Sequence, residues 1–133
     1  MKLQGHEVKF NFRSAAKYDK YASREGLRTT SGIVRGIAKE IERIEVKYGK
    51  PFSELSDKER TDFVIPMDTG EAQYMYYSTI DLPEREVDNL LEKEMEKKSI
   101  LEIVSEVVVE FMQSKLFQAQ AIKEKDENPK QPK

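Results

Sequence analysis

Residues 1–22, "MKLQGHEVKFNFRSAAKYDKYA", change from a two-residue repeat to a helical repeat within one short segment. Polar and apolar side chains alternate before and after Gly5 and His6. A two-residue turn at these positions would pair Leu3 with Val8 and would place the apolar side chains of both strands on one face. The segment therefore predicts an N-terminal β-hairpin that runs directly into a helix.

Two long helices are predicted next, each with recognisable ends. Ser14 is a suitable N-cap for the first helix, and Gly26 is a suitable residue at its C-terminus. Thr30 or Ser31 would cap the second helix, which ends at Gly49. The apolar stripe of the second helix recurs every three or four residues, at Ile33, Val34, Ile37, Ile41 and Ile44.

The middle of the chain gives weaker signals. Ser56 and Glu59 have the spacing of a capping box, which predicts a short helix ending near Ile65. Residues 68–80, "DTGEAQYMYYSTI", combine the Tyr and Thr content of a strand with the Ala, Gln and Met content of a helix. Both structures remain open here, and we favour the helix.

Further helices are predicted in the C-terminal half. Asp81 to Glu84 contains a cap, a proline and an acidic residue, as at a helix start. The apolar face of this helix comprises Val87, Leu90, Leu91 and Met95. Ser99 and Glu102 form a second capping box, so the helix either restarts there after a bend or continues unbroken. Residues 100–117, "ILEIVSEVVVEFMQSKLF", are apolar over too wide an arc for a surface helix and predict the central core helix.

Together these elements predict an α+β fold that is mainly α-helical, with an N-terminal β-hairpin packed against a bundle of about four to five helices. Residues 1–122 would form a single globular domain, since a chain of 133 residues has the size of one domain. Residues 123–133, "KEKDENPKQPK", contain two prolines and no other apolar side chain, which predicts a disordered charged tail.

The composition excludes several classes of protein. The net charge is −2, with acidic and basic residues interleaved, so we expect no nucleic-acid partner. The chain has no cysteine and no apolar run long enough to cross a membrane. These features predict a soluble cytoplasmic protein with no membrane partner.

Catalytic patterns are sparse. His6 is the only histidine, and we expect it in a solvent-exposed turn. The six glycines do not have the spacing of a phosphate-binding loop. Acidic pairs on one helix face allow a second interpretation, a Mg²⁺-dependent helical nucleotide pyrophosphatase, at Glu42/Glu45, Glu84/Asp88 and Glu92/Glu96. Since lysines and arginines are interspersed with these acids, we favour a solvated surface and predict no enzyme, no cofactor and no metal site.

Two groups of side chains are candidates for partner contact. The first contains Tyr74, Tyr76 and Tyr77, which form either an aromatic contact patch or part of the core and its rim. The second contains Phe111, Met112, Leu116 and Phe117, at the end of the apolar helix beside the polar tail. We interpret the second group as the partner-binding surface. The alternative is that these four side chains only close the core.

The order of these elements resembles that of tail assembly chaperones from long-tailed, siphovirus-type bacteriophages and prophages. Such proteins begin with a hairpin that ends in an aromatic-rich strand, followed by a helix with a "K-x-D-K"-like segment, here Lys17 to Lys20. The start of their penultimate helix is matched by Pro83, Glu86, Val87, Leu90 and Leu91. The resemblance covers most of the chain except residues 52–80.

The resemblance implies a non-enzymatic chaperone that binds the long helical tape-measure protein and assists polymerisation of the tail tube. Its implied partners are the tape-measure protein, the major tail protein and further copies of itself. A generic tail adaptor or structural subunit is the remaining alternative.

Overall fold

The computed structural model describes the backbone of residues 1–127 and the side chains through Ala121. Within this part of the chain there are two short β-strands, one turn of 3-10 helix at Phe52–Glu54 and seven α-helices. The strands are β1 (Lys2–Leu3) and β2 (His6–Glu7). The helices are α1 (Phe12–Glu25), α2 (Thr30–Tyr48), α3 (Asp57–Arg60), α4 (Thr69–Thr79), α5 (Glu84–Met95), α6 (Ile100–Met112) and α7 (Lys115–Glu127). The predicted fold class, α+β and mainly helical, is confirmed.

The N-terminal hairpin is present, but its turn lies one residue earlier than predicted. Leu3 pairs with His6 rather than with Val8, so the turn residues are Gln4 and Gly5. Both have positive φ angles, 50° and 84°, as a type I′ turn requires, and this turn matches the twist of the strands. The pairing differs from the predicted one by two residues, so the same side chains still face the core. Leu3 and Val8 are both buried.

The predicted C-terminal glycines are confirmed, whereas the N-caps of α1 and α2 differ from their predictions; Thr29, not Thr30 or Ser31, caps α2. The glycines at positions 26 and 49 end α1 and α2 with left-handed φ angles of 71° and 67°. Helix α1 begins earlier than predicted, because Asn11 is its N-cap and Ser14 is the reciprocal partner of Asn11 in a capping box. Helix α3 has the predicted capping box but ends at Arg60, short of Ile65.

The capping box at Ser99 starts a new helix, so α5 and α6 are separate. The Ser99 hydroxyl accepts from the Glu102 N–H at 3.1 Å, and the Glu102 carboxylate accepts from the Ser99 N–H at 2.9 Å. Ser99→Ala is therefore expected to lower the free energy of unfolding by about 1 kcal/mol, measured by urea denaturation. The control is Ser23→Ala at an exposed position inside α1. Equal losses in the two variants would contradict a capping role.

The most enclosed helix is α4, not α6 as predicted. Helix α4 packs against α1, α5 and α6, and its buried residues are Glu71, Ala72, Met75, Tyr76, Tyr77, Ser78 and Thr79. A helix covered on most sides has no polar face, which is why its sequence was ambiguous. Helix α6 buries one face, whereas Leu101 and Val109 on its other side are 66% and 48% exposed.

An ion pair ties the α1–α2 connection to α4. The Arg28 guanidinium donates from Nε and Nη2 to the two oxygens of Glu71 at 2.8 and 2.7 Å, and Nη2 also donates to the Pro66 carbonyl at 2.8 Å. The Glu71 side chain is only 3% exposed, whereas that of Arg28 is 43% exposed. A Cβ on Gly36 would lie 2.7 Å from Arg28 Nη1, so this glycine leaves room for the guanidinium.

The C-terminal segment differs from its prediction in two ways. The apolar stretch 100–117 is broken at Gln113 and Ser114, and α7 begins at Lys115. Helix α7 packs on α2 and α6. Its backbone is helical through Glu127, which includes the first five residues of the tail predicted to be disordered, Lys123 to Glu127. The remainder of that predicted tail, residues 128–133, lies outside the described residues.

Candidate functional site

The four predicted partner-binding residues are core residues rather than a surface. Phe111 is fully buried, Leu116 and Phe117 are 9% and 8% exposed, and Met112 is partly buried against the same core. The Phe111 ring lies 5.4 Å from that of Phe117 and 5.5 Å from that of Phe10. This arrangement corresponds to the alternative in which these side chains close the core, and it corrects their assignment to a contact surface.

The break between α6 and α7 is the physical reason for this difference. The Ser114 hydroxyl accepts from the Phe117 N–H at 3.1 Å, as an N-cap does, and donates to the Phe111 carbonyl at 2.6 Å. The chain therefore turns at Ser114, and the first turn of α7 packs back onto the end of α6. A continuous helix would have left Leu116 and Phe117 beyond the core.

The three tyrosines of α4 also lie in the core and at its rim. Tyr76 and Tyr77 are 1% and 5% exposed, and the partly buried Tyr74 stacks edge-on against Tyr77 at 5.2 Å. Tyr76 donates its hydroxyl to the Ile103 carbonyl at 2.9 Å, and burial raises its pKa. Tyr77 donates to the Asp88 carboxylate. These hydroxyls fix α6 and α5 against α4.

The acidic pairs contribute hydrogen bonds to the fold. Glu45 accepts from the Phe52 N–H at 2.8 Å, and Glu84 accepts from the Tyr21 hydroxyl at 2.8 Å. Burial and the Glu84 carboxylate together raise the pKa of Tyr21 to about 12. Within residues 1–121, no group of three or more His, Cys, Asp or Glu side chains is placed to hold a metal ion. His6 is exposed on β2.

A concave groove lies between α4, α5 and the beginning of α6. Its volume is about 380 Å³, which is within the range of about 300–1,000 Å³ that is usual for ligand sites. Each helix contributes residues three or four positions apart, which is the spacing of one helical face. The lining residues are Thr69, Ala72, Gln73, Tyr76, Asp88, Leu91, Glu92, Met95, Ile100, Ile103 and Val104. We call this surface the α4–α5–α6 groove.

The groove combines a buried apolar base with exposed apolar side chains. Tyr76 and Ala72 of α4 and Ile103 of α6 are all less than 7% exposed, whereas Met95 and Ile100 are 49% and 50% exposed. Large apolar side chains exposed beside a concave apolar surface are a feature of binding sites. Covering them would be favourable by about 25 cal/mol for each Å² of apolar surface removed from water.

The walls of the groove are held in place by hydrogen bonds. Gln73 donates to the Tyr77 hydroxyl at 2.8 Å, and both side chains donate to Asp88, which ties α4 to α5. The bond from Tyr76 to the Ile103 carbonyl ties α4 to α6. The groove therefore exists before any partner binds, which reduces the cost of ordering it on binding.

Sequence reasoning did not predict this groove. It identified Met95 as part of the apolar face of α5 but had no means to show that neighbouring helices leave Met95 half uncovered. Ile100 was included in the core of the following helix, although it is the first residue of α6 and half exposed. One signal was available in the sequence. Met95 and Ile100 flank the capping box at Ser99, and a capping box marks a break between helices, where side chains are often at the surface.

Comparisons of the chain with protein-family models, with curated proteins and with solved structures returned no match. Within the described residues, no helix combines the length and the apolar character needed to cross a membrane.

Proposed function

We propose that this chain is a non-enzymatic tail assembly chaperone of long-tailed bacteriophages, and that it binds a helical segment of the tape-measure protein in the α4–α5–α6 groove. The observation that carries the proposal is the pairing of a preformed apolar groove with the half-exposed Met95 and Ile100. An amphipathic helix is the occupant expected for such a groove. The resemblance of the N-terminal hairpin and helix to tail assembly chaperones supplies the biological setting.

In this proposal the groove covers one apolar face of the client helix and keeps the long client soluble. Binding is reversible because the groove is small and open, so tail tube subunits of the major tail protein displace the chaperone as the tube polymerises. The protein acts in the cytoplasm of the host cell, and further copies of the chain coat successive segments of the client. Catalysis plays no part in this role.

Removing the exposed apolar side chains of the groove is expected to weaken client binding at least about tenfold, or about 1.4 kcal/mol. The variant is Met95→Ser/Ile100→Ser, whose two positions are half exposed, so we expect the melting temperature to change little. The matched control is Val46→Ser/Val64→Ser, which removes two exposed apolar side chains outside the groove. Equal binding by both variants would contradict the groove as the client site.

The experiment that tests the function itself is affinity capture from host cells during tail production. The tagged full chain is purified, and captured proteins are quantified by mass spectrometry. We expect the tape-measure protein, with or without major tail protein, and we expect the Met95→Ser/Ile100→Ser variant to lose it. Capture of a different tail protein would support the adaptor alternative, and capture of the chain alone would contradict the proposal.

A further inference from the structure

The charged residues that line the α4–α5–α6 groove are all acidic. Two of its eleven lining residues are acidic, Asp88 and Glu92, and none is basic. The two carboxylates lie four positions apart on α5 and therefore share the face that borders the groove. Arg85 and Lys93 of the same helix are not among the lining residues. The apolar surface is thus bordered by negative charge along one wall.

The two carboxylates differ in how far they are already engaged. Asp88 accepts hydrogen bonds from Tyr77 and Gln73, both neutral donors, so its charge is not cancelled. Glu92 is exposed and forms no ion pair with any side chain of residues 1–121. Glu92 has no internal ion pair that must break before it pairs with a partner. It is therefore available to a lysine or arginine side chain on an incoming helix.

We propose that the occupant of the groove is a basic amphipathic helix, with lysine or arginine side chains bordering its apolar stripe. This inference rests on the proposed function and specifies the chemistry of the client segment. An acidic amphipathic helix would bring its own carboxylates against Asp88 and Glu92, which is unfavourable. The chain's own residues 123–133 are a poor occupant, because they carry no apolar side chain other than two prolines.

The probes are three synthetic amphipathic helical peptides with identical leucine positions and with Lys, Gln or Glu at every polar position. Binding to the full chain is measured by fluorescence anisotropy at low and at physiological salt. We expect the Lys peptide to bind about five- to tenfold more tightly than the Glu peptide at low salt, and we expect this preference to shrink as salt rises. The Gln peptide should lie between them.

Two charge-reversal variants test whether the preference for the Lys peptide arises at the groove. Glu92→Lys is expected to reduce the preference for the Lys peptide at least about threefold. Glu42→Lys makes the same change in net charge at an exposed position of α2 outside the groove and should leave the preference nearly unchanged. An equal effect of the two substitutions would mean that net charge alone sets the preference, which would overturn the inference.

The same measurements separate this inference from the proposed function. If the three peptides bind equally and Met95→Ser/Ile100→Ser weakens all of them, the groove binds helices without selecting charge, and only the inference is overturned. If Met95→Ser/Ile100→Ser has no effect on any peptide, both the inference and the proposed function are overturned. Both the inference and the proposed function are supported if Glu92→Lys weakens binding of the Lys peptide selectively and Met95→Ser/Ile100→Ser weakens binding of all three peptides.

Discussion

Replacing Phe111 by alanine is expected to lower the free energy of unfolding by about 3–5 kcal/mol, and the melting temperature by about 10–18 °C. The Phe111 side chain is fully buried and packs against the rings of Phe10 and Phe117. Its truncation leaves a cavity where the hairpin segment and helices α6 and α7 meet, and several elements would have to move to fill it. Urea denaturation followed by circular dichroism measures the loss.

The matched control is Phe12→Ala. Phe12 is the first residue of α1 and is 81% exposed, so the same truncation should change the free energy of unfolding by less than about 0.5 kcal/mol. The result also distinguishes the two sequence interpretations of the apolar end of α6. If Phe111→Ala weakened client binding and left the stability unchanged, Phe111 would be a contact residue for the client. A loss of stability close to that of Phe12→Ala would contradict the burial of Phe111 in the core.

Local signals predicted several helix ends correctly. The capping boxes at Ser56 and Ser99 and the left-handed glycines at positions 26 and 49 lie where the sequence placed them. These signals need only a few neighbouring residues, because a cap satisfies backbone groups within one helical turn. The prediction of α+β architecture followed from the same level of information.

The errors occurred where two signals of similar strength competed. Gly5 suits either position of a two-residue turn, and the structure has it second, after Gln4. Ser114 suits both a helix interior and an N-cap, so the turn between α6 and α7 was not visible in an otherwise apolar stretch. The favoured helix over residues 68–80 is confirmed as α4. Its central position was not predicted, because a helix without a polar face gives a weak signal and enclosure is a property of the tertiary structure.

The groove was beyond sequence reasoning for a related reason. Its surface comprises one face from each of three helices, and whether Met95 is covered depends on the distance between α5 and α6. Periodicity shows which face of a helix is apolar but not whether a neighbour reaches all of it. The half exposure of Met95 and Ile100 is therefore information that only the packed structure contains.

Arg28→Met is expected to destabilise the protein by about 2–3 kcal/mol at pH 7, because it leaves the buried Glu71 carboxylate without its cation. Breaking a fully buried ion pair costs about 3–5 kcal/mol. The expected loss is smaller here because the Arg28 side chain is 43% exposed and water reaches part of the site. The lost hydrogen bonds include both contacts to Glu71 and the one to the Pro66 carbonyl.

The pH dependence of this loss identifies its cause. In the native protein burial raises the pKa of Glu71, but the hydrogen bonds from Arg28 and from the Asp68 N–H outweigh it, so the pKa lies below its ordinary value of 4.5. The Glu71 carboxylate therefore stabilises the native protein above about pH 4.5, and this contribution is lost as the pH falls through the lowered native pKa. Without Arg28, the bonds and the charge of the guanidinium are lost while burial remains, so the pKa of Glu71 is higher in Arg28→Met than in the native protein. Arg28→Met therefore loses less stability than the native protein does as the pH is lowered.

The difference in unfolding free energy between the native protein and Arg28→Met should thus narrow as the pH is lowered from 7 to 4 in urea denaturation. Arg13→Met, at an exposed arginine that forms no ion pair within residues 1–121, should differ little from the native protein at every pH. In a Glu71→Gln background the buried charge is absent, so the difference between Glu71→Gln and Glu71→Gln/Arg28→Met should not narrow as the pH is lowered. A difference that stayed constant between pH 7 and pH 4 would show that Arg28 acts through packing and the Pro66 contact, and not through the charge of Glu71.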